Sequence, residues 1–469
     1  MIPAWTGTRI REAEKPLLER GEGPALMRRA AHGLAVHTAR LLVQRRGGVY
    51  GARVVGLIGP GNNGGDGLYA LAELARRGAA CGALLIRGTA HAEALEAYRG
   101  AGGRILTVQM IPAGTEVVVD AVLGTGARGG IDLPTVPAGA ALVACDLPSG
   151  VDADTGGADG NVLAADLTVT FGGLKTGLAV GPGHLAAGRI EVVDIGLGPH
   201  LGNPELQVVE LADVCAAVPR PQPGDHKYTR GVLGLVAGSS RYPGAAVLSA
   251  TAAVNTGLGL LRIAAGGSQD AVLRAVPEAV PLVREGDRVQ AWAVGPGIGD
   301  DACQIRRVRV ALESGLPIVV DASALDVVEP GDGRWNAILT PHAGEASRLL
   351  RKAGFAVDRH GVESDPLKWA RVVSRLYGSA VLLKGPTTVC ASPDGTTHVF
   401  RGGSSRLATA GSGDVLTGVL GAVMATMGEL RSPEDVVVSA GIAIGKCGAA
   451  AGALGERGFG ASLLAEHIR

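Results

Sequence analysis

A carboxylate and a set of glycine turns in the second half of this chain could carry a phosphoryl transfer. Asp414 closes the run Ala408-Thr409-Ala410-Gly411-Ser412-Gly413-Asp414, ahead of an apolar stretch of helical length, Val415–Met424. Glycines at the start of a buried helix leave backbone N–H groups open to an anion, and such a hole stabilises charge on a moving phosphoryl group. A carboxylate beside it could take the proton of an attacking hydroxyl, although N-capping is the plainer role for Asp at a helix start. Lys384-Gly385-Pro386-Thr387-Thr388 follows an apolar strand and offers a point charge to a phosphate. Leu339-Thr340-Pro341-His342-Ala343-Gly344-Glu345 carries a histidine able to bond a substrate; a lone histidine is more often a cap or a surface residue. Gly295-Pro296-Gly297-Ile298-Gly299 would let backbone approach a ligand closely. A Walker A Lys-Ser/Thr pattern and a kinase His-Arg-Asp set are both missing, which excludes those phosphate machines.

The first half presents a different constellation. Gly59-Pro60-Gly61-Asn62-Asn63-Gly64-Gly65-Asp66-Gly67 follows a strand and opens a helix, without the G-x-G-x-x-G spacing of a nicotinamide site. Asp120 ends one strand before Gly124-Thr125-Gly126-Ala127-Arg128-Gly129-Gly130, and Asp146 ends the next, with Ser149 shortly after. Strand-end carboxylates converging with Asn63 would form an oxygen-rich site for a hard cation or a ligand hydroxyl. Capping of the following turns is the alternative for each. Lys175 is a weaker candidate, since a lysine in such a setting is more often a solvated surface residue, and Arg87 stands at a strand end where a cation would be useful.

These residues need a scaffold that brings strand ends together. Strands are expected at 53–58, 116–120 and 141–145, with helices at 25–43 and 68–77. In the second half strands are expected at 231–237, 291–294, 317–320, 337–340 and 380–383, with helices from 245 to 256 and from about 413. The rhythm of strand, polar turn and helix is that of a doubly wound α/β sheet, whose ligands sit at the carboxyl ends of the strands. Val218-Pro219-Arg220-Pro221-Gln222-Pro223-Gly224-Asp225 is an extended linker, because Pro lacks a donor and restricts its predecessor. It sets domains at 1–218 and 225–469, joined by 219–224.

Composition narrows the function classes. The 469 residues hold 44 Lys+Arg and 44 Asp+Glu, so no basic footprint points to nucleic acid. No basic region followed by an apolar run marks a signal peptide, and no uninterrupted apolar run of bilayer length is found. Cys81, Cys145, Cys215, Cys303, Cys390 and Cys447 are scattered without a C-x-x-C pair, as expected of thiols in a reducing, cytoplasmic setting.

Taken together, Asn62–Gly67, Val119–Gly126 and Asp146-Leu147-Pro148-Ser149-Gly150-Val151-Asp152 resemble the NAD(P)H-hydrate epimerase family over residues 1–215. Leu147 stands where that family often has Ile. The resemblance implies a Rossmann-like fold that interconverts the R and S hydrates, with Asn62, Asn63, Gly64, Gly65, Asp66, Asp146 and the run Gly124, Thr125, Gly126, Ala127, Arg128, Gly129 and Gly130 on the substrate. It implies potassium on Asn63, Asp120 and Ser149, and Asp146 is the candidate acid or base. The second-half turns, with His226-Lys227 and Gly238-Ser239-Ser240-Arg241-Tyr242-Pro243-Gly244-Ala245, resemble the ribokinase-like superfamily and its ADP/ATP-dependent NAD(P)H-hydrate dehydratase branch over residues 222–469. There Lys384, Gly385, Pro386, Thr387, Thr388 and Gly413 would bind ADP or ATP with magnesium, and Ala245, Gly297, His342 and Asp414 would face the hydrate.

The expected chemistry is repair of NADH or NADPH hydrated at C6. The first domain equilibrates the epimers. The second uses Asp414 to direct the C6 hydroxyl onto a nucleotide phosphate, which then leaves. ADP is the donor that the resemblance favours, and a homo-oligomer without nucleic-acid or membrane partners is expected. Two rivals remain: a kinase for a vitamin precursor, which would leave a stable phosphorylated product, and a non-catalytic nucleotide sensor.

Overall fold

A computed structural model of the chain describes residues 1–107, 110–126, 131–158, 160–210, 213–214, 221–283, 287–401, 404–428, 430, 432–455 and 458–469. It falls into two compact units, Ile2–Gln207 and Val208–Arg469. This division precedes the proline-rich segment, of which 218–220 lies outside the described residues.

In the N-terminal unit, β1 (Ile2–Trp5) precedes the helices Gly7–Glu19 and Gly23–Arg46. The main sheet is built from β2 (Arg53–Ile58), β3 (Ala80–Leu85), β4 (Arg104–Ile105), β5 (Val117–Ala121), β6 (Ala141–Cys145), β7 (Leu167–Phe171) and β9 (Arg189–Val193). Its order is β4-β3-β2-β5-β6-β7-β9, and every pairing is parallel. The order reverses direction between β2 and β5, the switch point at which such sheets open a ligand crevice. Continuous apolar runs such as Val117-Val118-Val119 are buried on both faces, as a sheet covered by helices on each side requires. β8 (Leu174–Lys175) pairs with β1.

The expected turn at 59–67 differs from what forms. The helix starts at Asn62 and runs to Arg76, so most of the glycines lie inside its first turns. Packing explains this. A Cβ on Gly64 would sit 2.0 Å from the Gly59 carbonyl oxygen, and one on Gly67 2.5 Å from Ala121 Cβ. These glycines let the helix start press against the ends of β2 and β5, which outweighs their poor helix propensity.

After β10 (Leu206–Val209), the C-terminal unit contains β11 (Val232–Val236), β12 (Leu260–Ala264), β13 (Val280–Pro281), β14 (Ala291–Val294), β15 (Ile318–Val320), β16 (Ala337–Leu339) and β17 (Ala380–Leu383). They order as β13-β12-β11-β14-β15-β16-β17, all parallel, and β18 (Thr388–Ala391) and β19 (Thr397–Phe400) continue the sheet antiparallel. Helix Ser412–Thr426 is apolar all round because it is a central core element, with Val415, Val419, Leu420 and Ala422 fully buried. Each such Val or Leu contributes roughly 1.5–3 kcal/mol by leaving water. Helix Pro433–Ala453 is long and apolar enough to cross a bilayer; 56% of its most apolar window is buried inside this unit.

Candidate active sites

The N-terminal site is built at the end of β6. Asp146 has φ 67°; among the described residues only Ala322 is another non-glycine residue with positive φ. Asp tolerates this left-handed conformation better than most residues, yet it still stores strain of order 1 kcal/mol. The carboxylate is then over-determined. Oδ1 accepts from Lys175 Nζ at 2.5 Å, Thr170 Oγ1 at 3.1 Å and the Phe171 amide at 3.3 Å, while Thr125 Oγ1 donates to Oδ2.

Lys175 is therefore not the solvated lysine that its surroundings in sequence suggest. Its side chain is 1% exposed, and Nζ also donates to Thr170 Oγ1 at 3.0 Å and the Phe171 carbonyl at 2.7 Å. Gly172, with φ 75°, turns the chain from β7 back into β8 and aims the ammonium inward, where only an ion pair makes its burial tolerable. Arg87 is exposed and is not the buried cation. Burial works against the charge on Asp146, but Lys175, Thr125 and the Phe171 amide outweigh it and hold the carboxyl below its ordinary value.

A cleft of about 620 Å³ opens in the same unit, walled by Glu14, Asn62, Asp66, Tyr69, His91 and Phe171, with Arg28 and Glu93 also on its lining. Phe171 links cleft and ion pair, because its backbone bonds both Asp146 and Lys175. Asp66 is buried, and its Oδ1 has no hydrogen-bond partner among the described residues. Burial, then the charges of Asp146 and Glu14, push Asp66 well above the usual carboxylate range, with Lys175 opposing. Burial likewise raises Glu14.

The three residues assigned to potassium meet around Leu123. Ser149 donates from its amide (2.8 Å) and its hydroxyl (2.6 Å) to Asp120, and its hydroxyl accepts from Leu123 N at 2.9 Å. Asn63 Nδ2 donates to the Leu123 carbonyl at 3.1 Å. Asp120 is fully buried, and burial raises its pKa although the Ser149 and Val122 donors oppose it. Gly124 packs against Asn63, so that a Cβ on Gly124 would lie 3.1 Å from Asn63 Oδ1. Ala127, Arg128, Gly129 and Gly130 lie outside the described residues.

In the C-terminal unit, Asp414 does not cap its helix. Gly411 does so, with φ 90° and no side-chain capping bond, leaving the Asp414 carboxyl unspent. Burial and then the nearby Asp321 charge push Asp414 up to about 6, with Lys384 opposing. That value suits a general base near neutrality. Lys384, at the end of β17, donates from Nζ to Asp321 Oδ1 at 2.6 Å, and Thr417 Oγ1 holds Asp321 Oδ2 at 2.7 Å. A Cβ on Gly413 would lie 3.4 Å from Lys384 Nζ, so the ammonium stands at the mouth of the uncapped helix start.

His342 does act as a cap. Nδ1 accepts from the amides of Gly344 (3.0 Å) and Glu345 (3.3 Å), and Glu345 returns a bond to the His342 amide. Burial lowers the pKa of His342, which favours the neutral ring with Nε2 as the donor. Nε2 lies 3.4 Å from Glu345 Oε1. Ala245 and Gly297 are brought together: a Cβ on Gly297, where φ is 65°, would meet Ala245 Cβ at 2.6 Å. Gly385 and Pro386 are exposed in the turn between β17 and β18, Thr387 is buried, and Thr388 opens β18.

Two residues at these sites were not assigned from sequence. Lys175 had a signal: it is the sole Lys, Arg, Asp or Glu between Asp166 and Arg189. Asp321 was visible only as a strand end, because nothing in sequence reveals the positive φ of Ala322 (49°) that follows it.

Residues 233–469 match the NAD(P)H-hydrate dehydratase family, and residues 23–177 match the YjeF-related protein N-terminus family. The bifunctional NAD(P)H-hydrate repair enzyme Nnr of Mycobacterium tuberculosis is 44% identical over 439 residues, covering 89% of this chain and 88% of that protein. This chain belongs to the bifunctional NAD(P)H-hydrate repair enzymes. The Escherichia coli repair enzyme is 33% identical over 416 residues, covering 83% of this chain and 79% of its own length. The crystal structure of the ADP/ATP-dependent NAD(P)H-hydrate dehydratase from Bacillus subtilis, co-crystallised with ATP and Mg2+, is 26% identical, with a TM-score of 0.49 over 56% of this chain and 96% of that one. In this repair enzyme the family boundary between epimerase and dehydratase halves parallels the two compact units.

Proposed function

We propose that the cluster around Asp146 and Lys175 performs the epimerisation and the cluster around Asp414 performs the dehydration of hydrated NADH and NADPH. The observation that carries the second assignment is the carboxyl of Asp414, set beside an uncapped helix start and a lysine and raised to about 6. The C6 hydroxyl gives its proton to Asp414 as its oxygen attacks the terminal phosphorus of ADP or ATP, and the bond from that phosphorus to its bridging oxygen breaks to release AMP or ADP. The phosphate ester then leaves as phosphate, with the ring nitrogen supplying the electron pair, and loss of a proton restores the dihydropyridine. Lys384 and the backbone of Gly411–Gly413 form the cradle for the phosphates, Thr387 and Thr388 flank it on the hairpin, and Ala245, Gly297 and His342 border the hydrate. Magnesium, carried on the phosphate oxygens, would neutralise their charge. Membership of the bacterial fused type favours ADP as donor.

Potassium fits the N-terminal cluster. Asp120 is a fully buried carboxylate whose bonded partners are the neutral donors of Ser149 and Val122, so an oxygen-preferring cation on Asn63, Asp120 and Ser149 would compensate its charge. Asp146 is held ionised by Lys175, which equips it to accept the C6 hydroxyl proton when the carbinolamine opens. The buried thiols Cys81, Cys145, Cys390 and Cys447, all free, support a reducing, cytoplasmic setting.

The test is a pair of variants on mixed R and S NADH hydrate. Asp414→Ala should abolish nucleotide-dependent recovery of reduced-nicotinamide absorbance while R and S still exchange. Asp146→Ala should leave rapid recovery of the S share. Loss of both activities in either variant would contradict two separable sites.

A further inference from the structure

Opening a carbinolamine needs two proton transfers, and Asp146 supplies one partner. The N1–C6 bond cannot break cleanly unless N1 receives a proton as the hydroxyl loses one. The second group must stand near Asp146, be buried enough to stay protonated, and border a cleft that could take the ring. Asp66 meets these conditions. It lies on the wall of the 620 Å³ cleft, and its buried Oδ1 has no partner among the described residues. A buried polar atom of that kind is rare in a folded protein, and a catalytic role is one of the reasons for keeping it.

We propose that Asp66 is a catalytic residue, the proton donor to N1 of the hydrate, acting with Asp146 as acid and base. This rests on the epimerase reading of the N-terminal unit. Asp146 takes the proton of the C6 hydroxyl, and C6–O becomes a carbonyl. The N1–C6 bond breaks with its electron pair passing to N1, and Asp66 gives N1 its proton. Rotation about C5–C6 turns the other face of the aldehyde to N1. Reversal of both transfers closes the ring as the opposite epimer and returns each proton to its origin. No oxidant, reductant or nucleotide is consumed.

The surrounding groups support opposite protonation states for the two acids. The cleft that Asp66 lines is also lined by Glu14 from helix Gly7–Glu19, Arg28 from helix Gly23–Arg46, His91 and Glu93 at the start of helix Ala92–Gly100, and Tyr69 from the helix of Asp66 itself. Burial first, and then the charges of Asp146 and Glu14, keep its proton on against the opposing charge of Lys175, which is bonded directly to Asp146. One protonated and one ionised carboxyl in a single site is the arrangement that acid–base pairs require.

The test uses the full-length enzyme and R-enriched NADH hydrate, prepared by exhausting the S epimer with nucleotide. Conversion of R is read through its subsequent dehydration, with the dehydratase step kept in excess by added Asp146→Ala protein. The wild type should show a bell-shaped pH profile for kcat, its alkaline limb reporting Asp66. Asp66→Asn should lower kcat roughly 100-fold or more, the usual contribution of a general acid, with KM little changed and the alkaline limb gone. Asp66→Glu should recover part of the rate together with the limb, which a merely structural role would not produce. Wild-type kcat and limb in Asp66→Asn would overturn the proposal, as would Glu14→Gln removing the limb in its place. Failure of the wild type to convert R at all would instead overturn the epimerase reading on which the proposal rests.

Discussion

At the residue scale, both clusters place a carboxylate beside a lysine but use the pair differently. Lys175 is bonded to Asp146 itself, whereas Lys384 is bonded to Asp321 and leaves Asp414 free. Replacing Lys175 with Met should strand a buried carboxylate and cost about 3–5 kcal/mol of stability. Adding Asp146→Asn should recover much of that loss, and chemical denaturation of the four proteins of this double-mutant cycle measures it. For Asp414 the sign of the pH effect follows from its raised pKa. In the proposed mechanism dehydration uses the ionised form, so its rate should fall as pH drops through about 6. Stability runs the other way. The folded state holds this proton more tightly than an unfolded chain does, so the group stabilises the fold as pH falls from about 6 towards its ordinary value and destabilises it above. Asp414→Asn should therefore be inactive and have a higher Tm than wild type at pH about 8.

At the element scale, the helix that starts at Asn62 is the most instructive. A glycine-rich segment after a strand reads as a turn, and strand, polar segment and helix were all legible from the pattern of residues 53–77. What the pattern lacked was the close approach at Gly64, because sequence does not show that the Gly59 carbonyl would occupy the space of its Cβ. Gly64→Ala should push the helix start away from β2 and destabilise the unit by about 2 kcal/mol or more, as expected of overpacking against backbone, and lower epimerase kcat with it. Thermal denaturation followed by the R-to-S rate checks both. The strand-end positions of Asp120 and Asp146 were legible because a parallel sheet delivers its loops to one edge. Lys175 was not, because its inward direction is set by the reversal from β7 to β8 at Gly172, a tertiary bend.

At the scale of the whole molecule, one parallel and one mainly parallel sheet of different topology each bring a candidate site to their strand ends. The proline-rich segment points to a division at 219–224, whereas the compact units part at Gln207 and Val208; a break in packing need not coincide with the residues that stiffen a linker. The pairing of an isomerase unit with a nucleotide-using unit has a chemical logic: the second consumes one epimer, and the first replenishes it. The central claim is that repair of both epimers needs the two clusters and one nucleotide. The most direct measurement is recovery of reduced-nicotinamide absorbance from mixed R and S NADH hydrate, with magnesium, potassium and either ADP or ATP. Full recovery that depends on nucleotide is expected, falling to the S share at early times when Asp146 is replaced by Ala. A stable phosphorylated product in place of NADH, or full recovery without nucleotide, would contradict it.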